Sequence, residues 1–307
     1  MKIVLLDAIT FGNISLECFK QFGDVTIYET TSPQQTQERI SDADVIVTNK
    51  VVIDAKNMQA AKKLQLICVA ATGTNNVDLN AAKEHNITVK NVAGYSSDSV
   101  VQHTFSMLFY LIGHSRYYDD VVKSGVYSKS GVFTDVSHPF FELKGKKWGI
   151  IGLGEIGRGV AKVATAFGAD VVYYSTSGVN RNEEFQRTTL EKLLQESDII
   201  TIHAPLNEKT ENLLDYEELS TCKEGSVVLN LGRGGIINEA AVARLVDEKN
   251  ISFGLDVFTQ EPLPQESPLL SVKQSERLYL TPHIAWTSIE ARERLIARVC
   301  ENIQRFL

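Results

Sequence analysis

Trp148-Gly149-Ile150-Ile151-Gly152-Leu153-Gly154-Glu155-Ile156-Gly157 lies at mid-chain and carries the clearest structural signal in the sequence. An apolar strand, Trp148–Gly152, runs directly into Gly-x-Gly-x-x-Gly, and a helix is expected from near Arg158. A dinucleotide-binding turn requires this order. The first glycine permits the tight turn, the second lets backbone approach a pyrophosphate, and the third allows close helix–strand packing. The helix N-terminus adds free amides and partial positive charge. Three glycines alone also occur in structural turns. Here, however, Phe167-Gly168-Ala169-Asp170 and a further strand, Val171–Tyr174, complete a βαβ unit.

On either side of this stretch, apolar strands alternate with helical patterns along almost the whole chain, the signature of parallel sheets covered by helices on both faces. Before the fingerprint the expected strands are Lys2–Leu6, Val25–Tyr28, Val45–Val47, Leu66–Val69 and Thr88–Lys90, with helices such as Asp54–Lys62 and Asn80–Glu84 between them. No glycine fingerprint occurs in this part, which therefore reads as a companion domain. Ser99 to Ser124 reads as one long helix, and the aromatic, turn-rich stretch 125–143 as an arm over a neighbouring subunit. Strands Ile199–His203, Ser226–Asn230, Ser252–Leu255 and Leu278–Thr281 follow, and an amphipathic last helix, Ser288–Leu307, is expected to return to the first domain. The fold class is thus α/β, with two Rossmann-like, doubly wound parallel-sheet domains and a cleft between them. Residues 1–98 with 288–307 would form a flavodoxin-like substrate domain, and 99–287 the dinucleotide-binding domain.

Composition narrows the functions. The 307 residues carry 31 basic and 38 acidic side chains, a net charge of −7 with no basic tract, which argues against nucleic acid or an anionic membrane as partner. No apolar run approaches the roughly 18 to 20 residues of a membrane span, and the first strand meets Asp7 too early for a signal peptide. Cys18, Cys68, Cys222 and Cys300 lack metal-type spacing, so no metal is expected, and scattered thiols suggest a reduced, cytoplasmic protein.

Three residues follow strand ends in the second half. Arg233, in Asn230-Leu231-Gly232-Arg233-Gly234-Gly235, has flanking glycines that leave its guanidinium room to hold a carboxylate. Glu261 sits in Asp256-Val257-Phe258-Thr259-Gln260-Glu261-Pro262, and His283 in Thr281-Pro282-His283-Ile284-Ala285-Trp286. Singly each has a bland reading as a turn arginine, a solvated acid or a packing imidazole. Jointly they make a machine: the histidine gives a proton to a carbonyl oxygen as a hydride arrives, the glutamate orients the ring and favours its charged form, and the arginine anchors the substrate carboxylate.

These blocks, with Ser197-Asp198-Ile199-Ile200-Thr201-Ile202-His203-Ala204-Pro205-Leu206, closely resemble the D-isomer-specific 2-hydroxyacid dehydrogenase family over essentially the full chain. The resemblance implies Arg233, Glu261 and His283 as the catalytic set, with Asp256 near the nicotinamide carboxamide. It implies a cofactor-binding set of Gly152, Gly154, Glu155, Ile156, Gly157, Ser175, Thr176, Ser177, His203, Ala204, Pro205, Thr210, Leu231, Gly232, Asp256, His283 and Ala285. It also implies a substrate loop at Val69–Asp78, in which Thr72 and Gly73 cradle a carboxylate, and substrate contacts from Lys50, Arg233, His283 and Trp286. Within the family, Asn91–Ser96, Val101–Phe105 and His283–Trp286 look like the glycerate dehydrogenase (hydroxypyruvate reductase) branch, whereas the phosphoglycerate branch usually carries a further C-terminal domain.

One position departs from the family pattern. NAD-specific members carry an acid at the end of the second strand, where this chain has Ser175, 18 residues past Gly157. Ser175, Thr176 and Ser177 offer hydroxyls instead, and Arg181 would add charge, so NAD(P)H is the expected cofactor with NADP(H) favoured and dual use open. The expected partners are a small 2-oxo or 2-hydroxy acid and a second copy of the chain. Reduction of pyruvate or a bulkier 2-oxo acid, and dinucleotide sensing without turnover, stand as alternatives. An L-lactate-type enzyme is disfavoured, because that class places its glycines near the N-terminus.

Overall fold

Runs of valine, isoleucine and leucine build two separate parallel sheets in the computed structural model, which describes residues 1–179, 182 and 184–307. The chain divides into one unit of Met1–Ser96 with Thr287–Leu307 and a second of Ser97–Trp286.

The first unit runs β1 (Lys2–Leu5), β2 (Asp24–Ile27), α1 (Pro33–Ile40), β3 (Val45–Thr48), α2 (Ala55–Ala60), β4 (Leu66–Val69), α3 (Leu79–Glu84) and β5 (Thr88–Lys90). Its sheet order is β2-β1-β3-β4-β5, the order of flavodoxin-like folds. Every residue of β3 and β4 is buried, as expected of strands covered on both faces. Asp54 starts α2 by accepting the Asn57 amide at 2.8 Å, and Asp78 starts α3 by accepting the amides of Asn80 and Ala81. The C-terminal helix, Ile289–Phe306, belongs to this unit. It buries Leu295, Ile296, Val299 and Ile303, while Arg294 donates to the Tyr95 carbonyl at 2.9 Å and Arg298 to that of Ala93 at 2.7 Å.

The same packing corrects one expectation from the sequence. Cys18 and Cys300 are paired in a disulfide, and only Cys68 and Cys222 are free. The two cysteines stand 282 residues apart, and their proximity exists only because the last helix packs on the short 3-10 helix Glu17–Phe22. Spacing along the chain carries no trace of it. No helix among the described residues is long and apolar enough to cross a membrane.

The second unit begins with α4 (Ser97–Ile112), α5 (Ser115–Lys123) and α6 (Val126–Lys129). The single helix expected over 99–124 is therefore broken. Gly113 and His114, the latter in the left-handed region at φ 46°, end one helix and start the next. Then come β6 (Lys147–Ile151), α7 (Glu155–Ala166), β7 (Asp170–Tyr174), β8 (Gln186–Arg187), α8 (Leu190–Glu196), β9 (Ile199–Ile202), α9 (Tyr216–Ser220), β10 (Val227–Asn230), α10 (Glu239–Glu248), β11 (Ser252–Leu255) and β12 (Leu278–Leu280). The sheet order β12-β11-β10-β9-β6-β7-β8 is the Rossmann order with one strand added beyond the sixth. One apolar layer, around Trp148, Val160, Leu108 and Leu229, lies under α4 and α7. The other, around Ile202, Leu245, Phe253 and Val242, lies under α8 and α10.

Candidate active site

The glycine turn has the geometry its sequence requires. Gly152 sits at φ 93°, and a side chain there would meet the Ala204 amide nitrogen at 2.9 Å. A side chain at Gly157 would collide with the Gly152 carbonyl, and helix α7 begins at Glu155, earlier than expected. Gly154, by contrast, faces open space within 4 Å. Tight packing at the first and third glycines and an open second one leave room for a pyrophosphate to approach the backbone amides.

That place opens on a cavity of about 710 Å³ lined by Gly152, Leu153, Gly154, Ser175, Thr176, Ser177, His203, Pro205, Asn207, Glu208 and Lys209. Seven of these were expected. Leu153, Asn207, Glu208 and Lys209 were missed, since a loop after a strand carries no signal of which cavity it borders. Ser175 is buried at the strand end with its hydroxyl 3.5 Å from that of Ser177. Arg181 lies outside the described residues. His203 has both ring nitrogens buried and without a hydrogen-bond partner among the described residues. Burial pushes it down from its ordinary 6.5 to about 3, so the ring is a neutral donor–acceptor at the cavity wall. The nitrogens fit a ligand rich in hydroxyl and ring donors, such as a dinucleotide.

Other expected cofactor residues take supporting positions. Thr210 is fully buried and its hydroxyl donates to the Pro205 carbonyl at 2.7 Å, fixing the loop rather than facing the cavity. Glu155 and Ile156 form the first turn of α7, Ala204 backs Gly152, and Gly232 packs on the Ala204 carbonyl beside buried Leu231.

The catalytic candidates leave adjacent strands of one sheet edge: Arg233 follows β10, Glu261 follows β11 and His283 follows β12. Asn230 turns the chain at β10, accepting the Gly232 amide at 3.0 Å and donating to the Arg233 carbonyl at 2.8 Å. The Arg233 guanidinium is half-buried, spends one donor on the Gly232 carbonyl at 2.8 Å, and has no acidic partner among the described residues. His283 Nδ1 lies 2.7 Å from Glu261 Oε2, and Glu261 Oε1 accepts the Phe258 amide at 3.1 Å. A carboxylate accepts only, so Nδ1 carries the proton of this bond and Nε2 is left to exchange a proton with a ligand.

His283 holds φ 54°, a conformation costing a non-glycine residue about 1 to 3 kcal/mol. Beneath it, Asp256 is fully buried. Asp256 Oδ1 accepts the Ile284 amide at 2.8 Å and the Thr281 hydroxyl at 2.6 Å, and Oδ2 accepts the Ala285 amide at 2.9 Å. Both oxygens are thus committed to the turn that presents His283. Trp286 is half-buried just beyond it.

In the first unit, the expected substrate loops follow adjacent strands β3 and β4. Asp7 accepts the amides of Asn49, Lys50 and Val51 and thereby fixes the loop bearing exposed Lys50. Burial raises the Asp7 carboxyl while these amides pull it back. Thr72 donates from its hydroxyl to the Val92 carbonyl at 3.2 Å, and Asn91 donates to the Thr72 carbonyl at 2.6 Å, bracing the loop next to Gly73.

Comparison with known proteins decides what this arrangement belongs to. Residues 105–285 match the model of the D-isomer specific 2-hydroxyacid dehydrogenase, NAD binding domain. The chain belongs to this family. The dehydrogenase is 34% identical over 315 residues to a hydroxypyruvate reductase of Blautia hydrogenotrophica, covering 100% of this chain and 97% of that one. Among solved structures it is similar to an acyclic imino acid reductase in complex with NADPH and D-Arg (TM-score 0.87, 27% identity, 100% and 97% coverage). It is also similar to D-lactate dehydrogenase from Aquifex aeolicus complexed with NAD and lactic acid (TM-score 0.85, 25% identity, 100% and 95% coverage). The chain is therefore an oxidoreductase with a nicotinamide dinucleotide-binding domain and Rossmann-type folds, as the fingerprint predicts.

Proposed function

We propose that this dehydrogenase reduces hydroxypyruvate to D-glycerate and takes NADPH in preference to NADH. The observation that carries the chemistry is the 2.7 Å hydrogen bond between His283 and Glu261 at the edge where Arg233 also emerges. When bound, the nicotinamide supplies the hydride. His283 gives its Nε2 proton to the carbonyl oxygen, and Glu261 steadies the ring at Nδ1 and compensates the positive charge. Arg233 takes the substrate carboxylate through its uncommitted donors. By the family resemblance, Lys50, Thr72 and Gly73 of the first unit and Trp286 of the second are further substrate-binding residues. Hydroxypyruvate is favoured by the similarity to a hydroxypyruvate reductase.

The phosphate preference is supported by Ser175, Thr176 and Ser177, which line the cavity where an NAD-type chain would place a repelling carboxylate. The same reading divides the chain into a substrate domain, the first unit, and a dinucleotide domain, the second. A second copy of the chain is the expected partner, supported by the apolar arm. Phe133 is 90% exposed, Val136 80% and Phe140 67%, a concentration that argues for cover.

The test is absorbance loss at the nicotinamide band with hydroxypyruvate, run in parallel with NADPH and NADH. Faster loss with NADPH, and D-glycerate as product, is the expected result. Loss with neither, while pyruvate or glyoxylate is reduced, would transfer the proposal to another 2-oxo acid.

A further inference from the structure

The loop that carries His283 is tied down by a buried polar chain that begins on a different element, helix α4. His103, 16% exposed at its side chain, points its Nε2 at the Thr281 hydroxyl, 3.3 Å away, and lies 3.7 Å from Asp256 Oδ1. The hydroxyl has one proton, and it goes to Asp256 at 2.6 Å, because a carboxylate offers none. The Thr281 oxygen must then accept, so His103 donates from Nε2. The chain of donation runs His103 to Thr281 to Asp256, and Asp256 in turn holds the amides of Ile284 and Ala285. His283 lies between Thr281 and Ile284, and its own amide donates to the Thr281 carbonyl at 2.9 Å. The residue in the left-handed conformation is thus clamped on both sides by one buried carboxylate, whose direction is set by Thr281 and His103.

We propose that His103, Thr281 and Asp256 form a positioning network that holds His283 in register for proton transfer. The network is buried at its centre, since Asp256 is 0% and Thr281 5% exposed, so water does not replace a lost member freely. Burial lowers His103 while the Asp256 carboxylate pulls it back. A neutral His103 suffices, because Nε2–H is the only proton the network asks of it. The inference rests on His283 as the acid–base group of the proposed reaction. It goes further in assigning that group's geometry to a histidine on α4.

The test uses the full-length protein with Thr281→Val, which keeps the shape and removes the hydroxyl, His103→Leu, which removes the donor, and His103→Gln, whose amide nitrogen can donate from the same side. Thermal melting and dinucleotide Kd establish that each variant is folded. The expected result is a fall in kcat of about 10- to 100-fold in Thr281→Val and His103→Leu, the scale set by small misplacement of a reacting group. KM for the 2-oxo acid and dinucleotide Kd should stay within about twofold, and His103→Gln should recover most of kcat.

A second readout needs no turnover. The His283 Nδ1 proton on Glu261 should give a downfield proton resonance, assigned by its absence in His283→Ala. It should broaden or vanish in Thr281→Val and His103→Leu and persist in His103→Gln. An unchanged resonance with unchanged kcat overturns the proposal. So does a parallel rise in KM and Kd, which would mean general loosening. If the wild-type protein reduces no 2-oxo acid, the proposed reaction falls, and the resonance alone decides the positioning network.

Discussion

His283 Nδ1 and Glu261 Oε2 stand 2.7 Å apart across residues separated by 22 positions, and the other Glu261 oxygen is held by the Phe258 amide. The pair therefore has one orientation. Glu261→Gln keeps the size of the side chain but loses the charge that balances a protonated ring, and its carbonyl can still accept from Nδ1. We expect kcat to fall about 10- to 100-fold, with dinucleotide Kd unchanged, because charge-assisted bonds are roughly twice as strong as neutral ones. Equal kcat in steady-state assays of the two proteins would remove Glu261 from the mechanism.

Arg233 offers a different kind of prediction, since its work is binding. Arg233→Ala should raise KM for the 2-oxo acid about 10- to 100-fold, the range of a lost charge-assisted bidentate contact. Arg233→Lys should recover little, because an ammonium lacks the fork. Dinucleotide affinity measured by fluorescence is the control and should hold.

The cofactor pocket makes its own prediction at Ser175. Ser175→Asp places a carboxylate where a 2′-phosphate would sit, and like charges brought together repel. The NADPH-to-NADH ratio of Kd values should move toward NADH by roughly 10- to 100-fold. Titrations giving the same ratio in both proteins would show that the strand end does not read the phosphate.

Stability should depend on pH through His203. Its folded-state value is pushed down to about 3 from 6.5, so between these values the unfolded chain binds a proton that the folded one refuses. Stability is then complete above pH 6.5 and is lost as pH falls toward 3. In His203→Gln this loss is absent, so its melting temperature should decline less steeply from neutral pH to about pH 4 than that of the wild-type protein. Parallel declines would refute a buried, neutral His203.

The disulfide is open to a direct count. Unfolded in denaturant without reductant, the chain should show two reactive thiols, Cys68 and Cys222, and four after reduction. Four before reduction would mean that Cys18 and Cys300 are not joined.

Much of the fold was legible in the residues. The strand Leu66–Val69 appears where its apolar run predicts it, because a doubly covered strand must be apolar throughout. The helix break at Gly113-His114 was less visible, since apolar periodicity runs through it while backbone conformation at one residue ends the helix. The Cys18–Cys300 pairing depends on tertiary contact and leaves no local mark. Arg233, Glu261 and His283, the proposed catalytic set, could be singled out because each follows the end of an apolar strand. Lys209 at the cavity and His103 beside Asp256 could not, as an exposed loop lysine and a histidine inside an amphipathic helix look ordinary until the sheet brings their neighbours together.

The most direct test of the account is His283→Ala, compared with the wild-type protein for turnover of hydroxypyruvate and for dinucleotide Kd in the same preparations. General acid–base help is worth about 10²- to 10⁴-fold. The variant should lose kcat by that factor or more while binding the dinucleotide as tightly as before. Turnover near the wild-type rate would contradict the assignment of His283, and with it the mechanism built on the pair.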